Sequence, residues 1–182
     1  MSADEKILAW AREGNELSCP EWEQLPAIPL YVDQVLQYLR DSLRFFERDE
    51  ADVLLTNSMI NNYVKKNVLP HPEKKKYSRE HMAALTVICM LKQVLAIQDI
   101  GTLLQDRSMD PELYKAFLDA HTGAVRETCR ELEQSCCSGA DLRREALRLA
   151  AESNAKRAAA ERILYEIASA DGTQENGKSK KQ

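Results

Sequence analysis

Amide and lysine side chains recur along one short stretch, residues 55–79, in a pattern that suits contact with double-stranded nucleic acid. Asparagine presents a donor and an acceptor together, which is the fork that reads N6 and N7 of adenine in a major groove. Lysine suits phosphate as a point charge. The candidate DNA-binding residues of this stretch are Asn57, Ser58, Asn61, Asn62, Lys65, Lys66, Lys74, Lys75, Lys76 and Arg79.

The first six of these residues are predicted to share one face of a short helix. The apolar residues of the same segment repeat at helical spacing on the opposite face: Met59, Ile60, Tyr63 and Val64. Either Thr56 or Asn57 suits the N-cap, and Asn67 tolerates the left-handed conformation that often closes a helix. Asparagine is a poor helix former, so two adjacent asparagines within a helix suggest selection for something other than stability.

The charge of the chain is distributed unevenly around this stretch. The net charge of the 182 residues is −4, but residues 56–81 carry six Lys or Arg against two Glu, a net +4 that leaves −8 elsewhere. A basic patch on an acidic body is typical of a small DNA-binding head. The same patch would also fit an acidic protein partner.

The order of these features resembles the DNA-binding head of the MerR-type regulators. That pattern runs through a helix, a turn and a recognition helix ending in an aromatic pair, followed by Gly-Leu-Leu, Pro and a basic wing. Asn62 and Tyr63 stand at the aromatic pair, residues 67–70 at Gly-Leu-Leu-x-Pro, and residues 74–78 at the end of the wing. The resemblance implies a winged helix-turn-helix that binds double-stranded DNA as a dimer.

The chain departs from the MerR pattern in three places and resembles a second family more closely. Asn61 stands where an arginine is common, Val94 stands where a glycine ends the third helix, and the wing is shorter. The closer resemblance is to an uncharacterised bacterial domain-of-unknown-function family with a Leu-Thr-x-x-Met-Ile-Asn-Asn-Tyr core. Residues 55–63 match that core, and the resemblance covers roughly residues 22–104.

Helical periodicity along the rest of the chain predicts an all-α protein. A support helix is expected over residues 30–46, followed by a charged turn at Arg48–Asp52. The two C-terminal helices are expected over about 110–135 and 141–168, and their thinly apolar stripes suggest pairing into a homodimer. The expected regions are an N-terminal helix and strap (1–21), a MerR-like winged helix-turn-helix head (22–105), a helical dimerisation or effector region (106–170) and a disordered tail (171–182).

Other residues capable of chemistry form no recognisable catalytic pattern. There is no Gly-rich phosphate loop, nucleophile elbow or paired-carboxylate constellation, so the prediction is that the protein is not an enzyme and carries no cofactor. Five cysteines at irregular spacing favour a reduced, cytoplasmic protein. Cys129, Cys136 and Cys137 could form a soft-metal or redox site, but no histidine and no Cys-x-x-Cys spacing accompanies them, so no metal is predicted.

Three functions remain open from the sequence. The favoured one is a sequence-specific DNA-binding transcriptional regulator that acts as a dimer through its C-terminal helices. The second is a helical adaptor whose basic face docks an acidic protein. The third is a sensor of a small-molecule effector, with a pocket between the C-terminal helices.

The longest apolar run, near Ala83–Leu91, is shorter than the ~18 residues of a membrane span, so no membrane association is expected.

Overall fold

The computed structural model describes residues 2–47, 53–104 and 109–178. Within these ranges the chain forms seven α-helices and one two-stranded sheet: α1 (Ala3–Asn15), β1 (Leu30–Tyr31), α2 (Val32–Leu43), α3 (Asn57–Lys65), β2 (Lys76–Tyr77), α4 (Arg79–Leu91), α5 (Ile97–Leu104), α6 (Pro111–Cys137) and α7 (Leu142–Lys178). The all-α class is confirmed. The predicted turn at Arg48–Asp52 lies outside the described residues.

Helix α4 is the centre of the core. Its residues Met82–Met90 are all buried, and a helix that is apolar all round belongs in the interior. The one hydroxyl among them, on Thr86, donates to the Met82 carbonyl at 2.9 Å. The same buried cluster includes Ile100 and Tyr114, so the predicted head and the predicted C-terminal region share one core.

Helix α3 is held at both ends by local hydrogen bonds. The Thr56 hydroxyl accepts the Met59 amide at 3.2 Å, which is an N-cap. At the other end Asn67 adopts a φ of 56°, and the Val68 amide donates to the Tyr63 carbonyl at 2.9 Å. This is the Schellman arrangement, in which a left-handed residue lets the chain turn back over the last helical turn. The predicted closure at Asn67 is therefore confirmed.

A short antiparallel sheet links the segment after α3 to the segment before α2. Leu30 pairs with Tyr77, and Tyr31 pairs with Lys76. The helix expected over 30–46 therefore begins two residues later, at Val32, and its last turn tightens into a 3₁₀ turn over residues 44–46. A two-residue strand is too short to show the alternation that signals strands in a sequence, which is why the sheet was not predicted.

Helix α1 packs closely along α6. A Cβ atom on Gly14 would overlap the Cys129 sulfur and lie 2.9 Å from Cζ of Phe45. The sequence suggests Gly14 as a helix stop, but α1 ends after it, at Asn15. The glycine is required because the two helices approach each other at this point. Much of the apolar stripe of α6 is thus covered within the chain.

Helix α7 follows α6 after a turn at Gly139, whose φ is 73°. It packs against α5, and its Leu164 side chain is buried in the main core. The helix was expected to end near Ala168 before a disordered tail, but it continues to Lys178. Residues 169–178 contain no proline, and each residue added to an existing helix gains a backbone hydrogen bond. No helix in the described ranges combines the length and the apolar character needed to cross a membrane.

Candidate nucleic-acid interface

The two faces of α3 differ as the sequence predicts. Ile60, Tyr63 and Val64 are buried in the core, and Met59 is half-buried against it. All six polar residues predicted for the other face are exposed: Asn57, Ser58, Asn61, Asn62, Lys65 and Lys66. No acidic side chain interrupts this face. The helix therefore presents a continuous amide and ammonium surface to solvent.

The asparagines on this surface are not equivalent. The Asn61 side-chain amide donates to Oδ1 of Asn57 at 3.2 Å, so these two residues are partly engaged with each other. The Asn62 side chain has no hydrogen bond to any residue within the described ranges. Its donor and acceptor are therefore both available to an external partner such as a base edge.

The basic segment after α3 forms the tip of a tight hairpin. Glu73 and Lys76 form a β-bridge in which the Lys76 amide donates to the Glu73 carbonyl at 2.8 Å. Between them Lys74 and Lys75 adopt φ values of 48° and 64°, the two positive angles of a type I′ turn. Such turns favour Asn-Gly, because a left-handed conformation costs an ordinary residue roughly 1–2 kcal/mol. Both lysines are exposed at the tip.

The other two predicted members of the basic segment are held by neighbours. Nζ of Lys76 lies 5.0 Å from the centre of the Tyr31 ring, a cation–π contact across the sheet. Nη1 of Arg79 donates to Oε2 of Glu23 at 3.2 Å, and only 23% of the Arg79 side chain is exposed. Of the four predicted residues, Lys74 and Lys75 are thus the ones that lie free at the tip. Glu23 is far from Arg79 in the chain, so no local sequence pattern indicates this ion pair.

His81 fixes the start of the hairpin segment to the start of α4, a role that the sequence reasoning missed. Its Nδ1 accepts the Ser78 amide at 3.1 Å, which leaves Nε2 to donate to the Pro70 carbonyl at 3.2 Å. Burial lowers the pKa of His81, which favours this neutral tautomer. A histidine three residues after a Ser N-cap, in place of the usual Glu or Gln, is the signal that could have indicated it.

Lys92 fixes the start of α3 and was also missed. Its Nζ donates to the Leu54 carbonyl and lies 3.7 Å from the Met59 sulfur. Lys92 and Leu54 are 38 positions apart, so no local sequence pattern indicates their contact. Together with His81, it holds the polar helix and the hairpin on the rigid central helix.

The C-terminal cysteines are spread over different environments. Cys129 is fully buried against α1, Cys136 is half-buried and Cys137 is exposed. In the part of the chain that the structure describes, no three His, Cys, Asp or Glu side chains come together as a metal could require. Burial raises the pKa of the Cys89 thiol in α4 to about 12, so this thiol is inert.

The geometry defines a class of protein: a helical domain with a buried central helix, an exposed amide- and lysine-faced helix, and a lysine-tipped hairpin that follows this helix in the chain. Residues 20–117, more than half of the chain, match the family described as Domain of unknown function (DUF1836), and the chain belongs to that family. The match begins at Pro20, ten residues before β1, and ends at Phe117, within the first two turns of α6. The predicted membership in an uncharacterised domain family is confirmed. Neither the curated proteins nor the solved structures contain a significant match.

Proposed function

We propose that the protein is a sequence-specific DNA-binding transcriptional regulator whose head is a winged helix-turn-helix of the MerR-like type. The observation that carries the proposal is the exposed face of α3: every side chain of this helix that is fully exposed is an amide, a hydroxyl or a lysine. An α-helix fits the major groove, where amides read base edges and lysines meet the flanking phosphates.

The position of the hairpin supports the winged arrangement. It follows α3 in the chain, and the sheet contact between Tyr31 and Lys76 ties it to the segment that opens α2. The order is thus strand, support helix, exposed helix, hairpin, buried helix, which is the order of a winged helix-turn-helix head. The tip residues Lys74 and Lys75 are exposed next to α3 in sequence and suit the phosphates beside the groove.

A homodimer through the C-terminal helices completes the proposal. Because α1 and the core occupy much of α6, the free surface lies on α7, where Ile163 and Ile167 are 61% and 44% exposed one turn apart. A two-fold dimer would present two copies of α3 about one DNA turn apart, or a multiple of it. Light scattering should show a dimer, and the variant Ile163→Lys/Ile167→Lys should be a monomer. A monomeric wild-type protein would contradict this part of the proposal.

Selection of bound sites from a randomised duplex library tests whether α3 recognises a particular DNA sequence. Fluorescence anisotropy then compares the selected site with a scrambled one at several salt concentrations. The variant Asn62→Ala should lose about 1–3 kcal/mol on the selected site and little on the scrambled one, because it removes a bidentate base contact. The variant Lys65→Ala should weaken both duplexes alike and reduce the salt dependence by about 0.9 per head.

Two outcomes would contradict DNA reading by α3. If Asn62→Ala weakens both duplexes equally, the asparagines do not read sequence. If the wild type binds no duplex at low salt, the basic surface serves another partner, and the adaptor function gains support. An acidic protein partner would then be lost in Lys65→Ala and retained in Asn62→Ala.

A further inference from the structure

A cleft of about 440 Å³ lies between α6 and the segment of residues 17–24, here called the strap. Two anchors hold the strap along the helix. Nε and Nη2 of Arg126 donate to the Leu17 carbonyl at 3.1 and 2.6 Å, and the Tyr114 hydroxyl donates to the Pro20 carbonyl at 2.9 Å. Since the earlier strap residue meets the later helix residue, the two segments run antiparallel with the cleft beside them.

The cleft carries separated groups of opposite charge. Arg126 lies at one end, and its Nη1 has no hydrogen-bond partner within the described ranges. Two turns earlier on α6 lies Asp119, which pairs with the ammonium of Lys115 at 2.7 Å, and Glu21 and Glu23 line the cleft from the strap. The pKa of Lys115 is raised first by the hydrogen bond to Asp119 and also by the charge of Glu21, so Glu21 lies near this pair.

A glycine that the fold does not require lines the cleft between Asp119 and Arg126. Gly123 lies within α6, lines the cleft, and an added Cβ there would meet no atom within 4 Å. Glycine inside a helix is about 1 kcal/mol less favourable than alanine. Gly14, in contrast, is required by the contact of α1 with α6. Gly123 is not required by packing, so its effect is to leave space in the cleft that a larger side chain would fill.

We propose that this cleft binds an elongated zwitterion, with its carboxylate at Arg126 and its ammonium group at Asp119 and Glu21. Arg126 and Asp119 are seven residues apart on one helix, which is about 10 Å along its axis. An extended chain of three amino acids spans about 10 Å, so a tripeptide or an ω-amino acid of similar length matches the charge separation. The site differs from the pocket between the two C-terminal helices that the sequence suggests.

The strap also connects the cleft to the proposed DNA-binding head. Glu23 lines the cleft and forms the ion pair with Arg79 at the start of α4, directly after the hairpin. The Tyr38 hydroxyl of α2 donates to the Gln24 carbonyl at 3.4 Å. A ligand that moves the strap would therefore act on both the support helix and the hairpin. This regulatory step rests on the proposed function, whereas ligand binding itself does not.

Isothermal titration calorimetry of the full chain tests the binding step with trialanine and two modified forms. N-acetyl-trialanine lacks the ammonium group and trialanine amide lacks the carboxylate. Both should bind at least about tenfold more weakly than trialanine, because each leaves one charged end of the cleft unpaired. Equal binding of 8-aminooctanoate would support the site and show that the charge separation, not the peptide backbone, is recognised. No binding of either zwitterion, or equal binding of the three peptides, would overturn the proposal.

A matched pair of variants locates the site. Gly123→Leu should abolish trialanine binding because its side chain enters the cleft, while Ala120→Leu, exposed on the same helix and outside the cleft, should leave binding within about twofold. Both should fold, since the positions are exposed and leucine is a much better helix former than glycine and only slightly worse than alanine. If Gly123→Leu retains binding with an unchanged circular dichroism spectrum, the ligand lies elsewhere and the proposal is wrong.

Anisotropy of the selected duplex with and without saturating trialanine tests the regulatory step. The expected result is a change of at least about threefold in DNA affinity for the wild type. Glu23→Gln removes the ion pair to Arg79, and it should show no change at a trialanine concentration that calorimetry shows to saturate this variant. Calorimetric binding without an effect on DNA would overturn the regulatory step and leave the site in place. A protein that binds trialanine but no duplex would contradict the proposed function instead, so the two failures are distinguishable.

Discussion

Replacing the hairpin tip by the residues that its turn prefers should separate stability from DNA binding. The change is Lys74→Asn/Lys75→Gly, which keeps the backbone of a type I′ turn, with positive φ at both positions. In the native protein two lysines hold a conformation that L-residues with long side chains disfavour. The variant should therefore fold more stably and bind DNA less tightly than the wild type.

The magnitudes follow from the turn and from the charge. Glycine at position 75 recovers about 1–2 kcal/mol, and asparagine at position 74 recovers less because it also has a Cβ. The greater freedom of glycine in the unfolded chain offsets about 0.5–1 kcal/mol. A net gain of about 1 kcal/mol corresponds to a rise in Tm of about 2–4 °C for a chain of this length. The proposed function has both lysines on phosphates. Their loss should then reduce the slope of log K against log salt by about 1.8 per head, so the factor by which DNA affinity drops between 50 and 200 mM salt becomes about tenfold smaller.

Thermal denaturation and anisotropy at four salt concentrations measure the two effects in the same samples. The control is Lys74→Arg/Lys75→Arg, which keeps both the charges and the strained backbone, so its Tm and its salt slope should match the wild type. An unchanged salt slope in the Asn-Gly variant would show that the tip does not contact phosphate. A lower Tm would show that side-chain contacts of the lysines, not backbone strain, dominate the turn.

Two further predictions concern the fold. Gly14→Ala should lower the free energy of unfolding by about 1–3 kcal/mol, because the added methyl group meets the Cys129 sulfur. Gly123→Ala on α6 should instead raise the free energy of unfolding by up to about 1 kcal/mol. Urea denaturation of both variants measures the two changes, and changes of the same sign would refute the idea that only Gly14 is required by packing. Burial lowers the pKa values of His81 and His121, so below pH 6.5 the unfolded chain binds more protons than the folded one. Stability should therefore fall as the pH drops from 6.5, by up to about 1.4 kcal/mol per histidine and pH unit, and urea denaturation of the double His→Gln variant should lose this part of the pH dependence.

The parts of the site that the sequence predicts are the parts governed by near neighbours. The two faces of α3 follow from helical periodicity, and its caps involve Thr56 and Asn67, each within five residues of its partner. The cap of α6 at Asp110 is of the same kind, since its carboxylate accepts the Leu113 amide at 2.8 Å. In each case the residues that decide the structure stand side by side in the printed sequence, so pattern rules apply to them.

The parts that escape prediction depend on contacts between distant segments. Leu30 pairs with Tyr77, and Arg79 pairs with Glu23, across 47 and 56 positions of the chain. Each of these residues also suits the helix or turn that its local sequence predicts, so the local pattern gives no sign of the distant contact. Gly14 shows the same limit in reverse, because a glycine near a helix end suggests a stop even when its function is close packing.

Four residues of the candidate interface are locally unfavourable. Lys74 and Lys75 occupy left-handed backbone, and Asn61 and Asn62 occupy the interior of a helix that they weaken. In α4, by contrast, local and tertiary preferences agree, since nine consecutive buried residues form the core. Stability alone would favour Asn-Gly at the tip and alanine on the helix, so it does not explain these four residues. The proposed contact with DNA would account for them, since strain and poor propensity persist where a binding site requires particular side chains. Amides suit base edges and ammonium groups suit phosphates, so the proposed function uses both kinds of side chain.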